Sequence, residues 1–228
     1  MDSPAVIARG ITVRGEEGPV YGPLHFEIPT TGLTVLAGRS GSGRTALALT
    51  IAGRMKPSAG ELTVLGETKP SKIRPKVALA GVASIDQLDR NVRLSVVFSE
   101  HRAWSTPWLM WARRADQQYY EEICQPIFGV RELPPLHAYV GEITALDRLL
   151  IRIALAVNPA RGSKIEMLVM DDLEQVREDE DRALLLDTLA KLSDAMPVAV
   201  NSVNPLPHFP SIELITDDAY IHHPKEHQ

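Results

Sequence analysis

The stretch Gly38-Arg-Ser-Gly-Ser-Gly-Arg-Thr45 gathers glycines, hydroxyls and cations into a segment short enough to act as one loop. Gly38, Gly41 and Gly43 let the backbone turn back so that successive N–H groups point inward. A helix starting directly after them adds its positive end, which together suits a di- or triphosphate. The segment matches G-x-x-x-x-G-K-[ST] except that Arg44 takes the place of the lysine, exchanging a compact ammonium for a wider planar guanidinium. Gly38, Arg39, Ser40, Gly41, Ser42, Gly43, Arg44, Thr45 and Ala46 are the candidate phosphate-binding residues, and the Thr45 hydroxyl is a candidate ligand for Mg²⁺.

A second grouping lies farther along, where Leu168-Val-Met-Asp-Asp172 places two acids directly after an apolar run. Carboxylates at the C-terminal edge of a parallel strand stand where open α/β sheets bind their ligands. Asp171 is the candidate to hold Mg²⁺ through water, and Asp172 the candidate base that orients an attacking water. Each grouping has a plainer reading: a glycine-rich strand-to-helix turn without ligand, and a solvated turn after a core strand. A third set, His208, His222, His223 and His227, lacks a shared carrying element and regular ligand spacing, so solvated surface is the better reading.

The elements that must position these groups can be read from periodicity. Alternating apolar residues over 6–13 and 24–28 predict antiparallel strands, with residues 15–22 as a Gly/Pro-rich turn. Residues 33–37 read as a buried strand leading into the loop, and 45–55 as the helix after it. Strands are expected over 60–66 and 76–83, over 164–170, and over 198–200. Helices are expected over 144–157 and 179–195. Between 90 and 133 the texture is helical, and Trp104, Trp108 and Trp111 at helical spacing predict an aromatic core, with Pro107 near a helix start. Strands alternating with helices give an α/β sheet with parallel members.

Composition narrows the function classes. The 228 residues suffice for one domain with a small subdomain. No stretch approaches the roughly 18 consecutive apolar residues of a membrane span. The net charge of −5 comes without a basic block to track a phosphate backbone, which argues against nucleic acid as partner. The single cysteine, Cys124, and an N-terminus without a signal-peptide pattern lead to a cytoplasmic expectation.

The loop, the acid-tipped strand and the segment Pro57-Ser-Ala-Gly-Glu-Leu-Thr-Val-Leu-Gly66 together resemble the nucleotide-binding subunits of ATP-binding cassette (ABC) transporters, in order and in separation. Gly38 to Thr45 is similar to their Walker A loop and Leu168 to Asp172 to Walker B. Arg148 with Ile153-Ala-Leu-Ala156 and Pro159 is similar to the helix after their signature motif. The resemblance implies a P-loop NTPase fold of ABC type, with a mixed sheet, an antiparallel β-subdomain and a helical subdomain. It makes 1–228 a single nucleotide-binding domain with 90–133 as the helical insertion. It also implies ATP and Mg²⁺ as ligands, a membrane permease as partner, and either a homodimer or a paired second cassette. The chain would then lie peripherally at the inner face of the membrane, held there through its partner and without inserting.

Departures from the family pattern fall on the catalytic parts. The signature aligns with Gly141-Glu-Ile-Thr-Ala145, where Glu142 would bring a negative charge toward a triphosphate on the opposite subunit. Asp172 stands in place of a glutamate and Ser202 in place of the switch histidine. Ser84 and Gln87 both remain candidates for the glutamine-loop residue. The aromatic residue expected beside the base, near Arg14 or Gly15, is missing, and Tyr21 reads as part of the next strand. The resemblance therefore implies either a transporter ATPase or a cassette that binds nucleotide and hydrolyses it weakly. A P-loop kinase or a soluble cassette acting on a small molecule or DNA is the reading from another class.

Overall fold

The computed structural model describes residues 3–106, 113–162 and 164–214. In chain order the elements are β1 (Val6–Gly15), β2 (Gly18–Ile28), β3 (Leu33–Ala37), α1 (Arg44–Ile51), β4 (Ala59–Val64), α2 (Pro70–Ile73), β5 (Val77–Ala80) and α3 (Ala83–Asp86). These are followed by α4 (Leu94–Ser105), α5 (Gln117–Phe128), α6 (Ala145–Val157), β6 (Met167–Met170), a 3-10 turn at Leu173–Gln175, α7 (Asp179–Ser193), β7 (Val198–Ser202) and β8 (Ser211–Glu213).

The strands form two sheets. An antiparallel sheet has the order β2-β1-β4, and a parallel sheet the order β5-β6-β7-β3-β8. All residues of β3, β5, β6 and β7 are buried, as expected of parallel strands covered on both faces. Their side chains divide by strand alternation. Val35, Ala78, Leu168 and Val200 pack with α4 to α7, while Leu36, Leu79, Val169 and Ala199 join α1 and the inner face of the antiparallel sheet. The parallel sheet is thus the shared wall of two apolar cores, and its carboxyl edge carries both candidate groupings.

Several boundaries differ from those expected, each for a local reason. The turn predicted over 15–22 shrinks to Glu16 and Glu17, because Gly18 and Pro19 pair with Gly15 and Arg14. As β2 is an edge strand, the missing N–H of Pro19 costs it no inner partner. The first helix stops at Ile51 rather than 55, and β5 stops at Ala80 rather than 83. The tail after Pro205 is more than solvated surface: Ser211–Glu213 adds a strand parallel to β3. At three residues with polar ends it offers too little periodicity to read from sequence.

The tryptophan core is corrected as well. Trp104 is 64% exposed, with the Arg161 guanidinium 5.7 Å from its ring centroid, and Pro107, Trp108 and Trp111 lie outside the described residues. The buried aromatic contact of this region is Phe98 edge-on to Tyr120, with centroids 4.7 Å apart. Tyr120 donates its hydroxyl to the Pro134 carbonyl at 2.9 Å, satisfying the polar end of a fully buried ring.

The helix over residues 145–157 follows from its own cap. Thr144 accepts the Asp147 N–H at 3.0 Å, supplying one of the donors that a helix start leaves unpaired. Asp147 in turn accepts from Arg131 Nε at 2.8 Å, which fixes the end of α6 to the chain after α5.

Candidate functional site

The glycine-rich loop runs from the end of β3 into α1, and its shape is set by positions that demand glycine. Gly43 caps α1 at φ +82°, and a Cβ there would meet the Val20 carbonyl at 2.6 Å, so β2 can close over the loop only against a residue without a side chain. Ser40, Gly41, Gly43, Arg44, Thr45 and Ala46 line one cavity of about 820 Å³, opposite Gly81, Val82, Ala83, Ser84, Asp171 and Asp172. Gly38, Arg39 and Ser42 are not among the lining residues, and Arg39 is exposed. Gly38 N–H donates to the Ser202 carbonyl at 3.1 Å and Ser42 N–H to the Arg39 carbonyl at 3.1 Å, which holds the loop's curl. Ser42 is buried with its Oγ unpaired among protein groups.

Loop and acids meet across the cavity. The Thr45 hydroxyl donates to Asp171 Oδ2 at 2.7 Å, although the two residues are 126 positions apart in sequence. The fully buried Asn201 on β7 donates through Nδ2 to Asp171 Oδ1 at 2.5 Å. Asp171 is thereby fixed at both oxygens. Behind it, Gly81 at φ +85° approaches the Asp171 carbonyl so closely that any Cβ would clash.

Asp172 adopts a left-handed backbone at φ 55°, uncommon for a residue other than glycine but tolerated best by Asp and Asn. Burial pushes its carboxyl above the usual range, and the charges of Glu174 and Asp171 push it further against the opposing pull of Arg44. Glu174 has the opposite fate. Burial raises its carboxyl, but hydrogen bonds from Val203 N–H at 2.6 Å and Ser202 Oγ at 3.0 Å, with the charge of Arg44, hold it below the usual range.

A polar knot supports this edge from below. Arg152 on α6 binds Asp86 through Nε at 2.9 Å and a second nitrogen at 2.5 Å, and donates to Gln175 Oε1 at 2.8 Å. Gln175 Nε2 donates to the Gly81, Asp171 and Asp172 carbonyls, and Asp86 accepts the Gly81 N–H at 2.8 Å. Both strand ends and α6 are thus held by one cluster of charge-assisted bonds.

Of the other residues singled out in the sequence, Ser84 lines the cavity, whereas Gln87 is not among its lining residues. Ser202 ends β7 and bonds to Glu174. Tyr21 lies in β2 as expected, buried, with its hydroxyl donated to Thr50 at 2.8 Å and its pKa pushed up by burial to about 12. Glu142 accepts the Tyr139 N–H at 3.0 Å, and Arg148 binds the Ile143 carbonyl, so residues 139–143 are closely braced. His208 is exposed, and His222, His223 and His227 lie outside the described residues. Among the described residues no group of three or more His, Cys, Asp or Glu could hold a metal. Glu174, Gln175, Asp86 and Arg152 escaped the sequence reading. The one available signal was the further acid two positions after Asp172.

The donor set fits the ligands expected of it. A hydroxyl beside a carboxylate is a hard oxygen pair suited to Mg²⁺, and the glycine loop with Arg44 faces the same cavity as these two oxygens.

Comparison with known proteins finds likeness of sequence and of fold. The ABC transporter family model matches residues 21–130. The chain is 30% identical over 132 residues to the molybdenum import ATP-binding protein ModC of Rhodospirillum rubrum, covering 58% of this chain and 30% of that protein. It is 32% identical over 71 residues to the cytochrome c biogenesis ATP-binding export protein CcmA of Agrobacterium fabrum, covering 31% of this chain and 33% of that protein. The chain therefore spans about a third of the length of these curated relatives. Among solved structures, an ABC transporter ATP-binding protein from Pyrococcus furiosus superposes with a TM-score of 0.67 at 19% identity, over 92% of this chain and 96% of that one. The cbiO1 protein of Clostridium perfringens, part of the ABC transporter complex cbiONQ, superposes with a TM-score of 0.67 at 12% identity, over 89% and 80%. The phosphate-binding loop, the acid-tipped strand and the two-sheet architecture thus stand in the order of the ATP-binding proteins of ABC transporters, to which the chain is similar in sequence over part of its length and in fold over most of it.

Proposed function

We propose that this chain is the ATP-binding subunit of an ABC transporter. It would bind MgATP between the loop at residues 38–46 and the acids Asp171 and Asp172, and couple that binding to a membrane permease. The observation that carries the reading is the 2.7 Å bond from Thr45 to Asp171, which joins the two halves of a magnesium–phosphate site across one cavity. In this reading the loop N–H groups and Arg44 take the phosphates. Thr45 and, through water, Asp171 take Mg²⁺, and Asp172 orients the attacking water. Bound Mg²⁺ supplies charge neutralisation of the phosphates. The import and export roles in the relatives' names leave the direction of transport to the partner. No described helix is long and apolar enough to cross a membrane, which accords with a peripheral place at the inner face through the permease.

A second reading, a cassette that binds nucleotide but hydrolyses it weakly, is favoured by one specific observation. Glu142, in the segment aligned with the family signature, accepts the Tyr139 N–H at 3.0 Å, so a carboxylate is braced where the resemblance expects small residues against a triphosphate. Calorimetric titration with ATP and Mg²⁺, with turnover assayed on the same samples, tests both. Binding that Arg44→Ala abolishes supports the site. Turnover that Asp172→Asn removes supports the motor reading, and binding with scarcely any turnover supports the silent partner. Wild-type protein that binds no nucleotide, alone or with its permease, would overturn the site.

A further inference from the structure

Arg44 is the loop cation that lines the cavity, yet it already has an anion. Its side chain is only 14% exposed and its guanidinium stands 3.4 Å from Glu174 Oε2. The other oxygen of the same carboxylate accepts from Ser202 Oγ at 3.0 Å and from Val203 N–H at 2.6 Å. Glu174 therefore bridges the start of α1 to the end of β7, and it stays ionised because these donors outweigh its burial. A triphosphate on the loop needs the same guanidinium that Glu174 holds, and two anions at one cation compete.

From this we propose that Glu174 is a positioning residue whose carboxylate occupies Arg44 when the loop is empty and yields it to the nucleotide phosphates on binding. The exchange opposes binding, and it makes occupancy of the loop felt at Ser202 and Val203, the end of the central strand. Glu174 remains tethered there by bonds that do not depend on Arg44. This rests on the nucleotide-binding reading above and adds a cost and a transmission step that the phosphate loop alone does not contain.

The substitution Glu174→Gln separates charge from position, since the amide oxygen can still accept from Ser202 and Val203. Calorimetric titrations of wild type, Glu174→Gln, Arg44→Gln and the double variant with Mg²⁺ plus ATP, inorganic triphosphate or adenosine are the test. The expected result is that Glu174→Gln binds ATP and inorganic triphosphate about two- to fivefold more tightly, the range for an ion pair of this exposure. Adenosine binding should not change, and Glu174→Gln should not tighten the residual triphosphate binding of the Arg44→Gln background, measured at ligand concentrations high enough to read it. A merely structural Glu174 would give weaker binding on substitution, for all ligands alike. Unchanged or weaker binding of triphosphates by Glu174→Gln, with wild type binding normally, overturns the proposal and leaves the site intact. Failure of every variant to bind ATP overturns the nucleotide-binding reading and this proposal with it.

Discussion

At the scale of single residues, Asp172 carries the sharpest conflict in the site. Its backbone is left-handed and its carboxyl is buried beside two other acids, so the charged form is disfavoured in the folded chain. The folded protein holds that proton more tightly than the unfolded chain does. The resulting stabilisation is complete below 3.8, the unfolded value, and is lost as pH rises through the raised folded value. At neutral pH the ionised carboxylate is therefore a cost. Asp172→Asn keeps size and tolerance of the left-handed backbone while removing the charge. Thermal melts should show the variant more stable than wild type at neutral pH, with the gap closing as pH falls toward about 4, where both side chains are neutral. A variant less stable than wild type at neutral pH would contradict this account. The same substitution should abolish whatever turnover exists, so stability and chemistry would move in opposite directions at one residue.

At the scale of elements, the legible parts were those governed by local rules. The strand over residues 33–37 was readable because a parallel strand buried on both faces is a short apolar run, and α6 because Thr144 caps an amphipathic stretch. The phosphate loop was readable because its glycines must lie together in sequence. Glu174 and the Asp86–Arg152–Gln175 knot were not, since each joins groups 23 to 130 positions apart and no periodicity marks such partners. Trp104 misled because helical spacing states which face residues share and not whether that face is inward. His101 is a further tie within the helical region. Its Nε2 donates to the Asn158 carbonyl at 2.7 Å and its Nδ1 accepts from the Tyr119 hydroxyl at 2.8 Å, tying α4 to α5 and to the end of α6. This pattern suits the neutral ring, and burial lowers its pKa below 6.5 despite the opposing bond to Asn158. The sign follows: the stabilisation is present above 6.5 and is lost as pH falls through the lowered folded value. Denaturant midpoints should therefore drop on acidification below that range, and His101→Gln should flatten this part of the profile while lowering the plateau. An unchanged acid limb in the variant would assign the loss to other groups.

At the scale of the whole molecule, the two cores share one parallel sheet whose carboxyl edge holds the loop, Asp171 and the knot. Anything bound in the cavity touches the loop after β3, the start of α1, the residues after β5 and the acids after β6 at once. The site as proposed is nonetheless half of one, because the family resemblance places the signature segment of a second cassette against the bound triphosphate. Here that segment carries Glu142, fixed by the Tyr139 N–H, and braced by Arg148 on the Ile143 carbonyl. Two copies of this chain facing each other would each press a carboxylate toward the other's triphosphate, and like charges set against each other at an interface cost several kcal/mol. A second, different cassette with small residues at that position would not. The chain alone should therefore stay monomeric in sedimentation velocity with saturating ATP and Mg²⁺. Glu142→Ser, which removes the charge and supplies a small hydroxyl, should produce a dimer that forms only with nucleotide and dissociates on adding salt-free buffer without it. A wild-type homodimer as tight as that of the Glu142→Ser variant would show that the carboxylate is turned away from the triphosphate and that the chain pairs with itself.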